Sequence, residues 1–143
     1  MRRQVILDTG PLVAFLNGQD RYHEWSLVTW AEIQPPMLTC EAVLSEACFL
    51  LRKQSKGIVS IFELLRRDAI RVPFRLTDNL PSLADFIRKY DNVPMSLADA
   101  CLVRMAEILD ESSILTLDDH FRVYRKNKRQ VIPLLIPPGD LKE

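Results

Sequence analysis

Four acidic residues, far apart in the chain, each end a short hydrophobic stretch: Asp8, Glu46, Asp99 and Asp118. A carboxylate among apolar neighbours is costly to desolvate, so it usually needs a polar partner or a metal ion. No Lys or Arg stands within the four residues before Asp8, Glu46 or Asp118. If the fold brings the four acids together, their oxygens would bind a hard divalent cation.

Asp8 and Asp99 also fit the structural role of capping a helix. Asp8 precedes a turn and a helix, and Asp is a common N-cap residue. Asp99 stands three residues after Ser96, a spacing that predicts a capping box and a favourable interaction with the helix dipole. Capping and metal binding do not exclude one another, so both functions stay open for these two residues.

Glu46 and Asp118 have other structural alternatives. Glu46 would lie on an apolar helix face, although an exposed Glu normally has polar residues on its own face. Its neighbours at helical spacing are Ala42, Val43, Phe49 and Leu50. The alternative is a Glu at the edge of this stripe that reaches water. For Asp118 and Asp119, which follow a predicted strand together, the alternative is a solvated turn. Asp118 is preferred because it directly continues the strand, and Asp119 could replace it.

Short strands alternate with helices in the hydrophobic pattern of the chain. Strands are predicted over residues 4–7, 37–39, 70–76, 113–117 and 131–136, and helices over 11–16, 22–33, 41–53, 57–67, 78–90 and 96–109. This alternation is typical of βαβ units, which build a parallel sheet with helices on both faces. Such sheets carry functional groups at the carboxyl ends of their strands, where Asp8 and Asp118 are predicted to lie.

Length and composition predict a single soluble domain over residues 1–143. Lys and Arg together number 19, as do Asp and Glu, so nucleic-acid binding would require a local basic patch. No apolar run approaches the roughly 18 residues of a membrane-spanning helix, and the first run ends at Asp8, which argues against a signal peptide. The three cysteines match no zinc-binding spacing. We interpret them as buried free thiols in a reducing cytosol, which predicts a cytoplasmic location.

Four stretches of the chain carry the acids together with further motif residues. They are Val5-Ile6-Leu7-Asp8-Thr9-Gly10-Pro11-Leu12, Ser45-Glu46, Met95-Ser96-Leu97-Ala98-Asp99-Ala100 and Leu115-Thr116-Leu117-Asp118-Asp119-His120-Phe121. In this order they resemble the motifs of PIN-domain ribonucleases, and they look most like the VapC-type toxin branch. The pair Asp119-His120 departs from the family, which often has a basic or neutral residue after its fourth acid.

The resemblance implies both a fold and a metal site. The fold is a three-layer α/β/α sandwich with a mainly parallel central sheet. The site is an acidic one that binds Mg²⁺ or Mn²⁺, with Thr9 and Thr116 as nearby polar residues. The catalytic and metal-binding acids would be Asp8, Glu46, Asp99 and Asp118. Hydrolysis of a phosphodiester needs an activated water and relief of the negative charge on phosphate, and divalent cations serve both needs.

The resemblance also implies a biological role and partners. The chain would be an endoribonuclease, the toxin of a toxin–antitoxin pair, with an RNA substrate, a possible antitoxin protein and a homodimer that aligns two acidic sites. The homodimer also suits the large apolar residues of the helices predicted over 22–33 and 57–67, which one sheet face would not cover. These residues are Trp25, Leu27, Val28, Trp30, Ile58, Ile61, Phe62 and Leu65.

A basic segment follows the fourth acid and could neutralise RNA phosphates. Its members are Arg122, Arg125, Lys126, Lys128 and Arg129. The alternative is a solvated charged face, which is what most charged runs are. RNA binding is the preferred interpretation because the segment adjoins the predicted site.

Two enzyme classes and one binding function compete with this interpretation. Asp8-Thr9-Gly10 is also the tripeptide of aspartic proteases, but those enzymes are all-β, and here the tripeptide opens a predicted helix. A phosphatase of the haloacid-dehalogenase type needs a second acid where this chain has Gly10. A non-catalytic PIN-like module that binds RNA or protein stays open as the alternative, although the complete set of four acids argues against it.

Overall fold

Five short strands form a parallel sheet at the centre of the computed structural model, which describes residues 3–139. Two further strands form a separate antiparallel hairpin. In chain order the strands are β1 (Gln4–Leu7), β2 (Met37–Leu38), β3 (Ile70–Arg71), β4 (Ser112–Leu115), β5 (Arg125–Lys126), β6 (Gln130–Val131) and β7 (Leu134–Leu135). The spatial order in the sheet is β3-β2-β1-β4-β7. The single domain predicted over 1–143 begins and ends outside the described residues.

Helices flank this sheet and confirm the predicted α/β fold with a mainly parallel sheet. They are α1 (Thr9–Leu16), α2 (His23–Ala31), α3 (Glu41–Leu50), α4 (Gly57–Arg66), α5 (Leu80–Lys89) and α6 (Leu97–Ile108). Their boundaries agree with the prediction to within three residues. Across residues 3–139, no helix has both the length and the apolar character needed to cross a membrane.

The central position of β1 and β4 determines where a site can form. From β1 the chain continues outward through β2 to β3, and it later returns as β4 on the other side of β1. The strand order reverses at this point, so the connections leave the two carboxyl ends in opposite directions and a crevice remains between them. Ile6, Leu7, Ile114 and Leu115 are fully buried, which gives the crevice a closely packed floor.

Helix α6 is buried around most of its circumference. Its sequence is apolar on nearly every side, which is typical of a core helix rather than of a surface helix. The buried residues include Cys101, Leu102, Val103 and, in the first turn, Asp99. The burial of the whole helix therefore carries one carboxylate into the protein next to the carboxyl end of the sheet.

Two predicted strands are shorter than expected because of proline. The strand predicted over 70–76 ends at Arg71, since Pro73 has no N–H to donate to a neighbouring strand. The strand predicted over 131–136 divides at Pro133 into β6, which belongs to the hairpin, and β7, which belongs to the sheet.

The hairpin of β5 and β6 was not predicted from the sequence. Its turn residues Asn127 and Lys128 have φ of 48° and 72°, the left-handed conformation that short hairpin loops often require. Asn adopts this conformation more readily than most residues, whereas Lys gives no such signal. The charged run over 122–129 therefore folds back on itself and does not form one solvated face.

Candidate active site

A cleft of about 660 Å³ lies at the carboxyl ends of β1 and β4. All four predicted acids line it, although they come from four separate segments: Asp8, Glu46, Asp99 and Asp118. Thr9, the residue after Asp8, also lines the cleft, whereas Thr116 is fully buried. The fold thus brings together the acids that the sequence analysis singled out.

Asp8 lies directly after β1 and accepts two hydrogen bonds. Its Oδ1 accepts the N–H of Thr9 at 2.7 Å, which caps α1, and its Oδ2 accepts the hydroxyl of Thr116 at 2.6 Å. Burial raises the pKa of Asp8 to about 7; the two hydrogen bonds lower it, and the charges of Asp99 and Asp118 raise it. A cation near Asp8 would offset both the burial and the repulsion, so it would favour the ionised carboxylate.

Asp99 stands in the first turn of α6, where the predicted capping box is present. Its N–H donates to the Ser96 hydroxyl at 3.0 Å, and the Ser96 N–H donates to Asp99 Oδ2 at 3.4 Å. The hydroxyl of Tyr124 also donates to Oδ2, at 3.0 Å. Burial raises the pKa of Asp99, the hydrogen bonds lower it, and the charge of Asp118 raises it. Asp99 therefore combines helix capping with a place in the cleft.

Glu46 reaches the cleft from α3, and it is exposed to solvent. Its Oε1 accepts the hydroxyl of Thr9 at 2.8 Å. Of its four apolar neighbours at helical spacing, Phe49 and Leu50 are exposed, by 60% and 55%, whereas Val43 is fully buried and Ala42 is partly buried. Glu46 thus lies at the edge of the apolar face of α3, where that face leaves the core and meets solvent.

Asp118 occupies the turn after β4 and is half-buried. The strand ends at Leu115, two residues earlier than predicted, because the Thr116 hydroxyl accepts the Asp118 N–H at 2.9 Å and begins a turn. Asp118 Oδ1 accepts the N–H of His120 at 2.9 Å and lies 3.2 Å from His120 Nδ1. His120 is exposed and also lines the cleft. Its position in a charged turn gave no signal of this.

Asp118 is better placed than Asp119 to act as the fourth acid. Asp119 is exposed and pairs with Arg122 at 3.1 Å. The negative charge of Asp118 raises the pKa of both Asp8 and Asp99, as expected for carboxylates that line one cleft. The preference for Asp118 that followed from its place after the strand agrees with this geometry.

Only some side chains of the basic segment predicted to bind RNA are free of other described contacts and exposed enough to reach a phosphate. Arg122 is paired with Asp119, and Arg125 donates to three backbone carbonyl groups at 2.7–3.1 Å. Lys126 is only 7% exposed, so its stem is buried in β5. Lys128 and Arg129 are exposed at the hairpin turn and are the members best suited to contact phosphate.

The motifs, the parallel sheet and the acidic cleft together agree with one known protein family. The sequence profile of the PIN domain matches residues 5–127. The chain belongs to the PIN-domain family. The matched range contains all four acids of the cleft and confirms the resemblance that the motifs indicated.

A solved structure also resembles this PIN-domain chain. It is VapC20 of Mycobacterium tuberculosis, described as a toxin that cleaves the sarcin–ricin loop. The similarity has a TM-score of 0.73 and covers 81% of this chain and 91% of VapC20. The sequences are 19% identical, so the likeness concerns the fold. No curated protein sequence matches the chain.

The cleft carboxylates suit the divalent cation that membership of the PIN-domain family implies. Mg²⁺ prefers oxygen ligands and usually keeps several waters while one or two carboxylates bind it. Within residues 3–139, no three His, Cys, Asp or Glu side chains form a direct ligand cluster. A nearby positive charge would offset the burial that chiefly raises the pKa of Asp8, and also the charges of Asp99 and Asp118 that raise it further.

Proposed function

We propose that this protein is a divalent-metal-dependent ribonuclease that hydrolyses RNA phosphodiester bonds. The observation that carries the proposal is the convergence of Asp8, Glu46, Asp99 and Asp118 on one cleft at the strand-order reversal. Helix capping explains single acids, but it does not explain why buried carboxylates should be gathered against their mutual repulsion. Perturbed acids in a cleft are typical of functional sites.

The four cleft acids would hold Mg²⁺ or Mn²⁺, which when bound neutralises phosphate charge and makes water more acidic. The chain itself keeps these acids in place through two hydroxyl groups. Thr116 donates to Asp8 and accepts from the backbone of Asp118, and Thr9 donates to Glu46. Such hydrogen bonds hold ligand carboxylates in the geometry that catalysis needs.

The proposal extends to a toxin of a toxin–antitoxin pair, with an antitoxin protein as partner. Its support is the VapC-type motif pattern and the likeness to VapC20, which is described as a toxin. The expected genomic context is a neighbouring gene for a small DNA-binding antitoxin. If the gene for this protein has no such neighbour, the interpretation as a housekeeping nuclease is favoured over that as a toxin.

We also propose a homodimer in the cytoplasm. Helices α2 and α4 carry large apolar side chains that are 38–67% exposed in the single chain: Leu27, Val28, Ile58, Val59 and Phe62. The other apolar residues predicted to remain uncovered are not exposed: Ile61 is buried in the core, and Trp25, Trp30 and Leu65 are partly buried against it. Large apolar side chains left exposed on helix faces are consistent with an interface between two copies of the chain. A solution mass near 16.5 kDa, that of one chain, would contradict the dimer. The three free cysteines suit a reducing compartment.

Purified protein is expected to cleave structured RNA when Mg²⁺ or Mn²⁺ is added and to stop when a chelator removes the ion, because the cleft acids alone supply no positive charge for the phosphate. The assay is gel analysis of a transfer RNA, a messenger RNA and a sarcin–ricin stem-loop, each with and without metal. If the metal-loaded protein binds these RNAs and cleaves none, the non-catalytic PIN-like binding module becomes the better interpretation.

Replacing both Lys128 and Arg129 by Ala is expected to weaken RNA binding by a similar factor for different RNAs. These side chains are exposed at the hairpin turn, and phosphate contacts are electrostatic and independent of sequence. The slope of log affinity against log salt should become shallower by about one to two units. Filter binding over a range of salt concentrations measures both quantities.

A matched control removes two charges elsewhere, with Lys53 and Arg67 replaced by Ala. Both residues are exposed and lie outside the hairpin, so this variant should keep the affinity and salt slope of the wild type. Arg125 and Lys126 are poor choices, because the first is bonded to backbone and the second is buried. Equal effects of the two double variants would show that the hairpin has no special role in phosphate binding.

A further inference from the structure

Tyr124 lies in the middle of the basic segment, yet its side chain is fully buried. Its hydroxyl oxygen lies 3.0 Å from Asp99 Oδ2 and 3.2 Å from the carbonyl oxygen of Pro94. A phenol is a neutral hydrogen-bond donor near neutral pH. The fold therefore places a fixed donor behind one of the acids of the cleft, and the sequence analysis gave this residue no role.

Aromatic neighbours hold the ring of Tyr124 in position. Tyr90 packs against it edge-on with 5.1 Å between ring centroids, and Phe121 does so at 5.3 Å. Edge-to-face contacts of this geometry are favourable, and Phe121 is itself fully buried. The position of the phenol oxygen is therefore fixed by the packing of the aromatic cluster.

The hydroxyl of Tyr124 contacts only one of the two carboxylate oxygens of Asp99, Oδ2. Both the Tyr124 hydroxyl and the Ser96 N–H donate to Oδ2. Two donors on one oxygen restrict rotation of the carboxylate and leave Oδ1 as the oxygen more available to a ligand in the cleft. Ser96 belongs to the same helix end as Asp99, whereas Tyr124 comes from a segment 25 residues away. Tyr124 thus ties Asp99 to the segment that follows Asp118.

We propose that Tyr124 is a positioning residue for the cation site, because its hydrogen bond to Oδ2 orients the Asp99 carboxylate so that Oδ1 can bind a divalent cation. This inference rests on the proposed function, since it requires a cation in the cleft. Hydrogen-bond partners of ligand carboxylates typically change metal affinity by about 10–100-fold when they are removed. Tyr124→Phe removes this hydrogen bond and keeps the ring that packs in the cluster.

Tyr90 offers a matched control in the same aromatic cluster. Its hydroxyl accepts the backbone N–H of Arg125 at 2.9 Å, so its described hydrogen bond involves no acid of the cleft. Tyr90→Phe leaves a backbone amide without its acceptor, which lowers stability. After Tyr124→Phe, the Asp99 carboxylate still accepts the Ser96 N–H. The two variants therefore separate an effect on the cation site from an effect on the cluster.

The experiment titrates Mn²⁺ into the wild type and both variants by calorimetry and measures the melting temperature of each without metal. Tyr124→Phe is expected to weaken Mn²⁺ binding about 10-fold. The Mn²⁺ concentration for half-maximal RNA cleavage should rise by the same factor, and the rate at saturating Mn²⁺ should approach that of the wild type. Tyr90→Phe is expected to bind Mn²⁺ as the wild type does and to melt at a lower temperature than Tyr124→Phe.

Three results would overturn the inference, and they differ in what they say about the ribonuclease. Unchanged Mn²⁺ affinity in Tyr124→Phe, beside a wild type that binds Mn²⁺ and cleaves RNA, would remove the positioning role and leave the function intact. Equal losses of Mn²⁺ affinity in both variants, in step with lower melting temperatures, would show a general packing role. A wild type that neither binds Mn²⁺ nor cleaves RNA would overturn the inference and the proposed function together.

Discussion

An Asp8→Asn variant is expected to cleave RNA about 10³-fold more slowly than the wild type, which corresponds to about 4 kcal/mol of lost transition-state stabilisation. Asn keeps an oxygen for the Thr9 N–H and is as good an N-cap as Asp, so the fold should persist. The substitution removes the negative charge that a cation would need. Asp99→Asn is expected to act in the same way, because Asn also preserves much of its capping role.

The rates are best compared in single-turnover cleavage assays at saturating Mg²⁺, with circular dichroism to confirm the fold of each variant. Asp118→Asn and Asp119→Asn form a matched pair of neighbouring acids that both line the cleft. Asp118→Asn should lose activity, whereas Asp119→Asn should keep most of it, because Asp119 is exposed and paired with Arg122. A wild-type rate in a folded Asp8→Asn variant would remove the basis for the catalytic assignment.

The acids could be found from the sequence because their local signals agree with the position that the fold gives them. Asp8 follows a continuous apolar strand, and strands of a parallel sheet end at the same edge. The spacing of Ser96 and Asp99 predicts a capping box, and this motif is present. Both signals come from neighbouring residues in the sequence, so they can be recognised without knowledge of the tertiary structure. The meeting of the acids depends on the strand order, which was not predicted from the sequence. The family resemblance implied the acidic site without it.

The environment of Glu46 could not be predicted from its neighbours. An apolar helix stripe normally packs on the core, but Phe49 and Leu50 are exposed in the single chain. An apolar helix face that packs on the core and one that is exposed in the single chain have the same sequence pattern. Glu46 itself is exposed and reaches solvent, as the alternative of a Glu at the edge of the stripe predicted, and it also lines the cleft.

The burial of Tyr124 could not be read from the run of charges around it. The spacing of Phe121 and Tyr124 was the available signal, since residues three apart can share one face, and both side chains are fully buried. Lys126 is buried as well, which reverses the usual expectation for Lys and depends on its long apolar stem. Lys126 lies in the hairpin of β5 and β6, whose turn at Lys128 has a backbone conformation that Lys rarely adopts.

The metal-free protein is expected to lose stability as the pH rises from about 4 to about 7. Burial raises the pKa of Asp8 from 3.8 to about 7, so in this range the folded protein keeps a proton that the unfolded chain has lost. The free energy of unfolding therefore falls with increasing pH, and the contribution of protonated Asp8 is gone above its folded pKa. A shift of this size corresponds to a change on the order of 4 kcal/mol. Asp99, whose pKa is also raised, acts in the same direction.

Asp8→Asn separates this effect from the other titrating groups of the protein, because an amide does not ionise in this range. Without metal, the variant should have a flatter pH dependence than the wild type and should be the more stable of the two at about pH 8. Urea denaturation in the presence of a chelator measures both quantities. Added Mg²⁺ should stabilise the wild type most at high pH, where the ligands are ionised, and should stabilise Asp8→Asn much less. If instead wild type and variant change in parallel, Asp8 is already ionised in the folded protein at low pH, and the electrostatic reason to place a cation beside it disappears.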